Sequence, residues 1–297
     1  MWVRVLGSAA GGGFPQWNCG CPRCRAVREG SRPCRPRTQS SVAVSADYHR
    51  WFLLNASPDI RAQIESFPAL HPNGIRESPL RSVLLTDAEL DHTFGLLLLR
   101  ETDDIEIYCT EAVYETLLNG TSLLRTLGAY TGVEWRPVTT GREMSLGDGL
   151  SYLAFEVPTN KMARFGTGEG DENVVGYRIT DVHSGRALVY IPGAQQLTAS
   201  VREQLQDCSC LLFDGTCWQD DELVRLGIAK KTSRDMGHLP ISGSDGSLKQ
   251  LAPLPIERKI YIHINNTNPI LIEDSPERRT AEEHGFEVAT DGLELEI

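Results

Sequence analysis

Short runs of β-branched and aromatic residues alternate along the chain with segments whose apolar residues recur at helical spacing. Runs of the first kind, bounded by turn-forming residues, predict β-strands. The strands predicted in this way span 2–6, 41–46, 51–54, 82–86, 105–109, 150–157, 174–180, 187–191, 211–214, 259–264, 286–289 and 293–297. The early pair of adjacent strands predicts a hairpin, and therefore sheets with both parallel and antiparallel pairing.

Serine followed by proline marks two helix starts. Ser57-Pro58 and Ser275-Pro276 each place a capping hydroxyl ahead of a proline in the first turn, and Gly285 predicts the end of the second helix. The other helical segments predicted are 94–100, 111–127, 197–206, 220–226 and 247–251. Strands separated by helices indicate an α/β fold.

Charged side chains follow directly after the apolar strand predicted at 82–86. Asp87, Glu89, Asp91 and His92 all lie within seven positions, with apolar residues on either side. A charge cluster at the edge of a core is costly unless its members are paired or bind a metal. Carboxylates with an imidazole are the ligands that hold a divalent first-row metal.

Two later strands, predicted at 211–214 and 259–264, also end in polar residues. Because ligands gather at the carboxyl ends of strands in such sheets, we expect Asp91, His92 and His263 to meet around one metal ion. Two imidazoles and one carboxylate leave coordination positions open, which suits non-haem Fe(II) and O₂. The alternative is that both histidines are ordinary residues at the core edge with hydrogen-bond partners.

Further polar residues are expected close to this metal. Asp87 and Glu89 are predicted to orient the ligands, because metal-bound histidines usually donate their second N–H to a carboxylate or carbonyl. His238 is either a proton-transfer or substrate-contacting group or a plain turn histidine. The glycine-rich stretch 7–13 lacks a regular dinucleotide-binding pattern and is interpreted as a closely packed loop near the site.

A second metal site is predicted from three cysteines. Cys19, Cys21 and Cys24 fall within six residues, a spacing that lets three thiolates hold one tetrahedral zinc ion with a fourth ligand from elsewhere. Such a site has no open position, so it is structural rather than catalytic. The alternative, three unrelated buried thiols, is disfavoured by their density.

A basic and apolar patch precedes a run of glycines. Lys161 and Arg164 stand just before 166–170, a combination typical of a mobile flap that holds an anionic substrate. The alternative is a solvated surface loop.

Composition limits the classes of function. The chain has 297 residues, 40% of them hydrophobic, and a formal net charge of −11. This charge disfavours binding to nucleic acid or to anionic membranes. No apolar run is long enough to span a bilayer, and the start of the chain has no secretory pattern. We therefore expect one domain, 1–297, in the cytoplasm, with a cysteine-rich zinc loop at about 18–25.

Several long segments resemble the metallo-β-lactamase superfamily and, within it, the coenzyme PQQ synthesis protein B family. The segments that carry the resemblance are 7–24, 35–41, 54–61, 84–92, 190–193, 211–216, 236–238 and 263–269. The resemblance implies a four-layer αβ/βα sandwich with mixed sheets. It also suggests Asn266 as the fourth zinc ligand, with Cys34 or water as alternatives.

The usual metal loop of the superfamily, H-x-H-x-D-H, is incomplete in this chain. Asp87 and Glu89 stand at its first two histidine positions, and Gly193 stands at the position of the bridging aspartate. By this comparison only half of a two-metal site remains, formed by Asp91, His92 and His263. One metal with open positions favours redox chemistry over zinc hydrolysis.

The resemblance implies a role in the biosynthesis of pyrroloquinoline quinone (PQQ). The implied activity is iron-dependent hydroxylation of the tyrosine ring in a peptide-derived Glu-Tyr precursor. Arg37, Lys161 or Arg164 would then pair with substrate carboxylates. The alternative is a non-enzymatic carrier of PQQ or its precursor, and a weaker one is a degenerate phosphoesterase. Other proteins of the pathway are expected partners.

Overall fold

The structure is a computed structural model that describes residues 1–160, 165 and 174–297. Lys161, Arg164 and the glycine run 166–170 lie outside the described residues, so the predicted flap is not addressed by the structure.

The described residues form fourteen strands. In chain order these are β1 (Trp2–Gly7), β2 (Ser41–Ser45), β3 (Trp51–Leu54), β4 (Leu80–Leu84), β5 (Asp104–Cys109), β6 (Gly132–Pro137), β7 (Glu143–Gly147), β8 (Leu150–Glu156), β9 (Val175–Asp181), β10 (Ala187–Ile191), β11 (Cys210–Asp214), β12 (Arg258–Ile262), β13 (Phe286–Val288) and β14 (Glu294–Glu296). The apolar runs of the sequence therefore located every interior strand to within about two residues.

The strands build two seven-stranded sheets. The first has the order β14-β1-β2-β3-β4-β5-β6 and the second β13-β12-β11-β10-β9-β8-β7. The predicted hairpin is present as the antiparallel β2–β3 pair, whereas β3 to β6 run parallel, so the first sheet is mixed. The second sheet is mixed as well, with β10 to β13 parallel and β7 to β10 antiparallel.

Helices of four to eight residues connect the strands. They are α1 (Pro22–Glu29), α2 (Ile60–Glu65), α3 (Leu90–Thr93), α4 (Glu111–Glu115), α5 (Leu123–Leu127), α6 (Ala199–Gln204), α7 (Glu222–Arg225), α8 (Ser247–Leu251) and α9 (Pro276–Glu283). Short 3₁₀ turns lie at Pro68–Leu70, Phe94–Leu99, Arg234–Met236 and Pro269–Leu271, and a π turn lies at Thr116–Gly120. In the described part of the chain no helix is both long and apolar enough to cross a membrane.

Alternation of side chains along the strands produces four layers. One cluster of buried residues joins the two sheets face to face and includes Phe52, Leu84, Tyr177 and Leu212. Neighbouring strand residues point the other way and pack under helices, because successive side chains of a strand lie on opposite faces. The result is the predicted αβ/βα sandwich.

Two strands were not predicted because most of their residues are exposed and neither strand contains an apolar run. β6 and β7 each lie at the end of a sheet, and most of their residues are exposed or half-buried. An edge strand needs few apolar residues, so its sequence carries polar side chains that resemble a loop.

Helix predictions were less accurate. The segment 111–127 is interrupted between α4 and α5 by the π turn, and Ser122 adopts a left-handed backbone with φ of 59°. α2 begins at Ile60, preceded by Asp59, rather than at the predicted Pro58. At Ser275 the prediction was correct, since its hydroxyl accepts a hydrogen bond from the amide of Arg278 and Pro276 opens α9.

The predicted cysteine loop at 18–25 is partly helical. α1 starts at Pro22, so Cys24 lies on the first turn of a helix while Cys19 and Cys21 precede it. Proline favours the first turn of a helix because it has no N–H to satisfy there. The three sulfur atoms are therefore presented by a loop and a helix start rather than by a loop alone.

Candidate metal centre at the strand ends

The structure brings Asp91, His92 and His263 together. Asp91 and His92 lie in α3, which follows β4, and His263 follows β12 in the other sheet. Nε2 of His263 is 3.2 Å from Oδ2 of Asp91, and Nε2 of His92 is 3.9 Å from the same oxygen. The two imidazole rings lie 5.1 Å apart. Two nitrogen donors and one carboxylate oxygen therefore face one point.

Asp87 fixes the orientation of the His92 ring. Its two carboxylate oxygens lie 2.9 and 2.8 Å from Nδ1 of His92. Nδ1 is thus bound, and Nε2 of His92 is buried without a hydrogen-bond partner among the described residues. A buried polar atom is expected to have a partner. The unsatisfied nitrogen beside Asp91 is what a metal ligand needs, so this donor set fits a divalent metal ion.

Charge pairing shifts the pKa values of this cluster. Burial alone would lower the pKa of His92, but the carboxylates of Asp87 and Asp91 raise it to about 9. Burial would raise the pKa of Asp87, but the His92 ring lowers it to about 2. The pKa of Asp91 is also lowered by both imidazoles, against the effect of burial. Both carboxylates are therefore charged at neutral pH.

Glu89 contributes through its backbone and its charge. Its amide donates a hydrogen bond to Oδ1 of Asp87 at 2.9 Å, and its carbonyl accepts one from the hydroxyl of Thr93. Its carboxylate is among the charges that raise the pKa of His92. Through its backbone amide, Glu89 thus holds Asp87, which in turn holds the His92 ring.

A second carboxylate–histidine pair lies on the other side of His263. Asp214 ends β11 and is fully buried, and its Oδ2 is 2.8 Å from Nδ1 of His238. The rings of His238 and His263 are stacked with centroids 5.4 Å apart. Burial would raise the pKa of Asp214, but the His238 charge and the hydrogen bonds lower it. His238 is therefore part of the site and not an isolated turn histidine.

Two glycines leave room for these side chains. A Cβ at Gly11 would lie 3.1 Å from Oδ2 of Asp91, and one at Gly193 would lie 3.5 Å from Cε1 of His238. The glycine-rich loop thus packs its backbone against the candidate metal ligand Asp91, as expected from the sequence. A side chain at position 11 would push Asp91 away from the two histidines.

The three cysteines form the second candidate metal centre. The Sγ atoms of Cys19, Cys21 and Cys24 all lie within 4.8 Å of one another. The side-chain amide of Asn266 covers them, with Nδ2 at 3.1, 3.8 and 3.3 Å from the three sulfurs. Rotating the amide by half a turn exchanges its nitrogen and oxygen, which leaves the oxygen facing the thiols. Three thiolates and an amide oxygen make a four-ligand set.

Cys34 stands apart from this group. It is half-buried, and its thiol donates to the carbonyl of Arg32 at 3.4 Å. Among the described residues the cluster of thiols holds only the other three. The alternative in which Cys34 supplies the fourth ligand is therefore wrong for this structure.

Arg37 lies in the interior and not at a substrate surface. Its side chain is buried, with the residue only 4% exposed, and its guanidinium donates to the backbone carbonyl of Ala289. Burial lowers its pKa to about 10. The prediction that Arg37 pairs with a substrate carboxylate is wrong for this arrangement, because the guanidinium is buried and binds a backbone carbonyl of the protein itself. Lys161 and Arg164 lie outside the described residues.

The sequence did not identify Asp214 and Thr216 as functional. The strand predicted at 211–214 has a polar end, but its link to His238 spans 24 residues that include α7 and a 3₁₀ turn. The sequence feature that could have shown it is that β4 in the first sheet and β11 and β12 in the second all end in polar side chains.

Comparison with known proteins places these features in a family context. Residues 50–264 match the β-lactamase superfamily domain. The chain is 48% identical to coenzyme PQQ synthesis protein B of Methylococcus capsulatus, with 99% of each chain covered. It is 46% identical to the protein of that name from Azoarcus sp., over the full length of both.

Solved structures agree. The crystal structure of Zn²⁺-bound PqqB from Methylobacterium extorquens matches this chain with a TM-score of 0.92 and 43% sequence identity. The match covers the whole of both chains. A diphosphatase of the PhnP family has a TM-score of 0.70 at 20% identity, covering all of this chain and 96% of the other. The second likeness concerns the fold alone.

Metal uptake by the metal-free protein should depend on pH, because Nε2 of His92 must lose a proton before it can bind an ion. With a pKa of about 9, the ring is mostly charged at neutral pH. Affinity should therefore rise about tenfold per pH unit up to about pH 9 and level off above it. Competition with a chelator at several pH values measures this.

The matched variant is Asp87→Asn, which removes a charge that raises the pKa of His92. In this variant the affinity should level off at a lower pH than in the unchanged protein. A pH-independent affinity in the unchanged protein would contradict the assignment of His92 as a ligand.

Changing Cys21 to Ser should remove about one zinc ion per chain and lower the melting temperature by about 5–10 °C, because a structural zinc contributes folding free energy. Metal analysis and thermal unfolding measure the two effects. Cys34→Ser is the control, since this half-buried thiol lies outside the cluster and its loss should change neither. An unchanged melting temperature in Cys21→Ser would rule out the structural zinc.

Proposed function

The chain belongs to the coenzyme PQQ synthesis protein B family of the β-lactamase superfamily, and from that premise we propose that it acts in PQQ biosynthesis as an iron-dependent hydroxylase. Its proposed substrate is the tyrosine ring of a small peptide-derived Glu-Tyr precursor. The proposed ligands of the catalytic metal are Asp91, His92 and His263.

The observation that carries this proposal is the state of the two imidazoles. Nε2 of His92 is buried and has no hydrogen-bond partner among the described residues. Nε2 of His92 and Nε2 of His263 both face Oδ2 of Asp91. An ordinary buried histidine would be expected to satisfy both ring nitrogens. Two imidazole nitrogens and one carboxylate oxygen are the donor set of non-haem Fe(II) oxygenases, which keep open positions for O₂ and substrate.

A single ion is favoured over a pair. Asp87 stands where the superfamily motif has a histidine, and both of its oxygens are occupied by Nδ1 of His92. Gly193 stands at the position of the bridging aspartate, where His238 takes up the space instead. The residues with which the superfamily motif would hold a second zinc ion are thus replaced. Asp214 and His238 lie with His263 as a further possible metal group, and in this proposal they orient the rings and transfer protons instead. This supports redox chemistry rather than hydrolysis.

Hydroxylation inserts one oxygen atom of O₂ into an aryl C–H bond. The other oxygen atom leaves as water, formed with two electrons from a reductant and two protons. When bound, the iron would supply the redox chemistry that activates O₂. The protein's own residues would hold the ring beside the ligands and manage the protons.

His238 is the candidate for proton transfer. Asp214 holds its Nδ1 at 2.8 Å, which leaves Nε2 to exchange a proton with a phenol bound beside His263. The side chain of His238 is 14% exposed, so the ring can be reached from outside the core. A histidine held by a buried carboxylate is a common arrangement for acid–base catalysis.

The cysteine cluster is assigned a structural role in the same proposal. Cys19, Cys21, Cys24 and Asn266 would hold zinc, and Asn266 lies three residues after His263. The zinc would therefore stabilise the segment that presents a ligand of the catalytic metal.

Changing His263 to Ala should abolish iron binding at this site and conversion of a Glu-Tyr dipeptide to its dihydroxyphenyl product. The reason is that three ligands become two, and a facial site of this kind depends on all three. Metal analysis, O₂ consumption with Fe(II) and a reductant, and mass spectrometry of the peptide provide the measurements.

The matched control is His49→Ala, because His49 is exposed, lies in the turn between β2 and β3 and is not part of the cluster. It should retain iron and turnover. Normal turnover by His263→Ala would refute the ligand assignment. Tight binding of PQQ or its precursor with no metal dependence and no O₂ consumption would instead identify the protein as a carrier.

A further inference from the structure

The hydroxyl of Thr216 lies at the centre of the second carboxylate–histidine pair. Its Oγ1 is 2.6 Å from Oδ1 of Asp214, 3.0 Å from Nδ1 of His263 and 3.1 Å from Nδ1 of His238. Thr216 is only 4% exposed, so water does not substitute for these contacts. One hydroxyl therefore connects a buried carboxylate to both histidines of this half of the site.

Counting protons assigns a direction to each bond. A hydroxyl has one proton to donate, and an ionised carboxylate can only accept. At 2.6 Å the contact with Asp214 must contain a proton, and Thr216 is the group that can supply it. The hydroxyl then has only lone pairs left for His263. Nδ1 of His263 must carry the proton in that bond, which leaves Nε2 bare.

The other oxygen of Asp214 accounts for His238. Oδ2 accepts the amide of Ala194 at 2.9 Å and Nδ1 of His238 at 2.8 Å. Asp214 therefore orients His238 directly and His263 through Thr216. On the opposite side of the site Asp87 orients His92 without an intermediate group.

From this geometry we propose that Thr216 is a positioning residue, which fixes the proton of His263 on Nδ1 and so presents Nε2 to the metal. This inference rests on the metal site proposed above and adds a residue to it. Thr216 donates its proton to Asp214 and accepts a hydrogen bond from Nδ1 of His263. The His263 ring therefore has a neutral acceptor beside Nδ1 instead of a second carboxylate.

Asp91 works against this arrangement in the metal-free protein. Its Oδ2 is 3.2 Å from Nε2 of His263 and would accept a proton placed there. The competing bond from Thr216 to Asp214 is shorter by 0.6 Å, the difference between the 3.2 and 2.6 Å contacts, and is an O–H···O⁻ bond to a fully buried carboxylate. Short charge-assisted bonds of this type are the stronger ones. The arrangement with the proton on Nδ1 is therefore favoured before any metal arrives.

Thr216 also supports the backbone on which His263 sits. His263 has a left-handed φ of 56°, which is costly for a residue with a side chain. The support comes from the carbonyl of Thr216, which accepts the amide of Asn265. Oγ1 of Thr216 lies 3.1 Å from the carbonyl of His263 without donating to it, because its one proton goes to Asp214. The same residue thus contacts both the ring and the backbone of the turn.

The first test is the position of the proton in metal-free protein. At about pH 8 a neutral imidazole shows distinct ¹⁵N chemical shifts for its protonated and bare nitrogens. Comparison with His263→Gln identifies the signals of His263. We expect Nδ1 to be protonated. A proton on Nε2 would overturn the proposal, and this measurement needs no enzyme activity.

The second test is the pair Thr216→Val and Thr216→Ser. Valine keeps the shape and removes the hydroxyl, so the proton should move to Nε2 and affinity for Zn²⁺ should fall about 10–100-fold, as for other groups that orient metal ligands. Serine keeps the hydroxyl and should restore both. Equal affinity in the valine variant and the unchanged protein would overturn the proposal.

Thr131→Val controls for the general cost of losing a buried threonine hydroxyl. Its hydroxyl donates to the carbonyls of Thr102 and Asp103, far from the metal centre in the chain. This variant should lose stability without losing Zn²⁺ affinity. If the unchanged protein binds Zn²⁺ with the expected proton position but does not consume O₂, the proposed function fails and the inference on Thr216 stands.

Discussion

Two buried carboxylates hold two histidines, and the site depends on this pairing. Asp87 follows β4 in one sheet and holds His92, while Asp214 ends β11 in the other sheet and holds His238. Each pair lies at the edge of a core where an unpaired charge would be expensive, and breaking such a buried pair costs about 3–5 kcal/mol. The two sheets thus contribute one oriented ring each. His263 lies between them and contacts both.

The segment from His263 to Asn268 links the two candidate metal centres. His263 faces Asp91, Asn266 covers the three thiols, and Asn268 donates to the carbonyl of Gly215 and accepts from the amide of Ile270. The strained backbone of His263 is therefore held at both ends of a short turn. Strain of this kind persists only where the surroundings determine the conformation. Order at the thiol cluster and order at the open metal site are connected through this turn.

Replacement of metal ligands changes what the fold can do. In this chain the positions that would bind a second ion hold Asp87, Glu89 and Gly193, and these residues orient or make room for the remaining ligands. With the proposed ligands, the same two-sheet scaffold would hold one ion with open positions instead of a pair of ions. Function is decided by these few side chains, while the fold is shared with proteins that are only distantly similar.

The sequence by itself determined the interior strands and an α/β class, its resemblance to a known superfamily implied the αβ/βα sandwich, and its polar strand ends predicted that Asp91, His92 and His263 meet. Apolar runs specify buried strands, and ligands gather at the carboxyl ends of parallel strands, which here come from both sheets. It did not reveal β6 and β7, because most residues of these two edge strands are exposed and neither strand contains an apolar run. Only the tertiary structure showed that Asp214 and Thr216 hold two histidines and that Arg37 is buried. These contacts depend on which distant segments of the chain pack together, and the local spacing of residues in the sequence does not specify that packing.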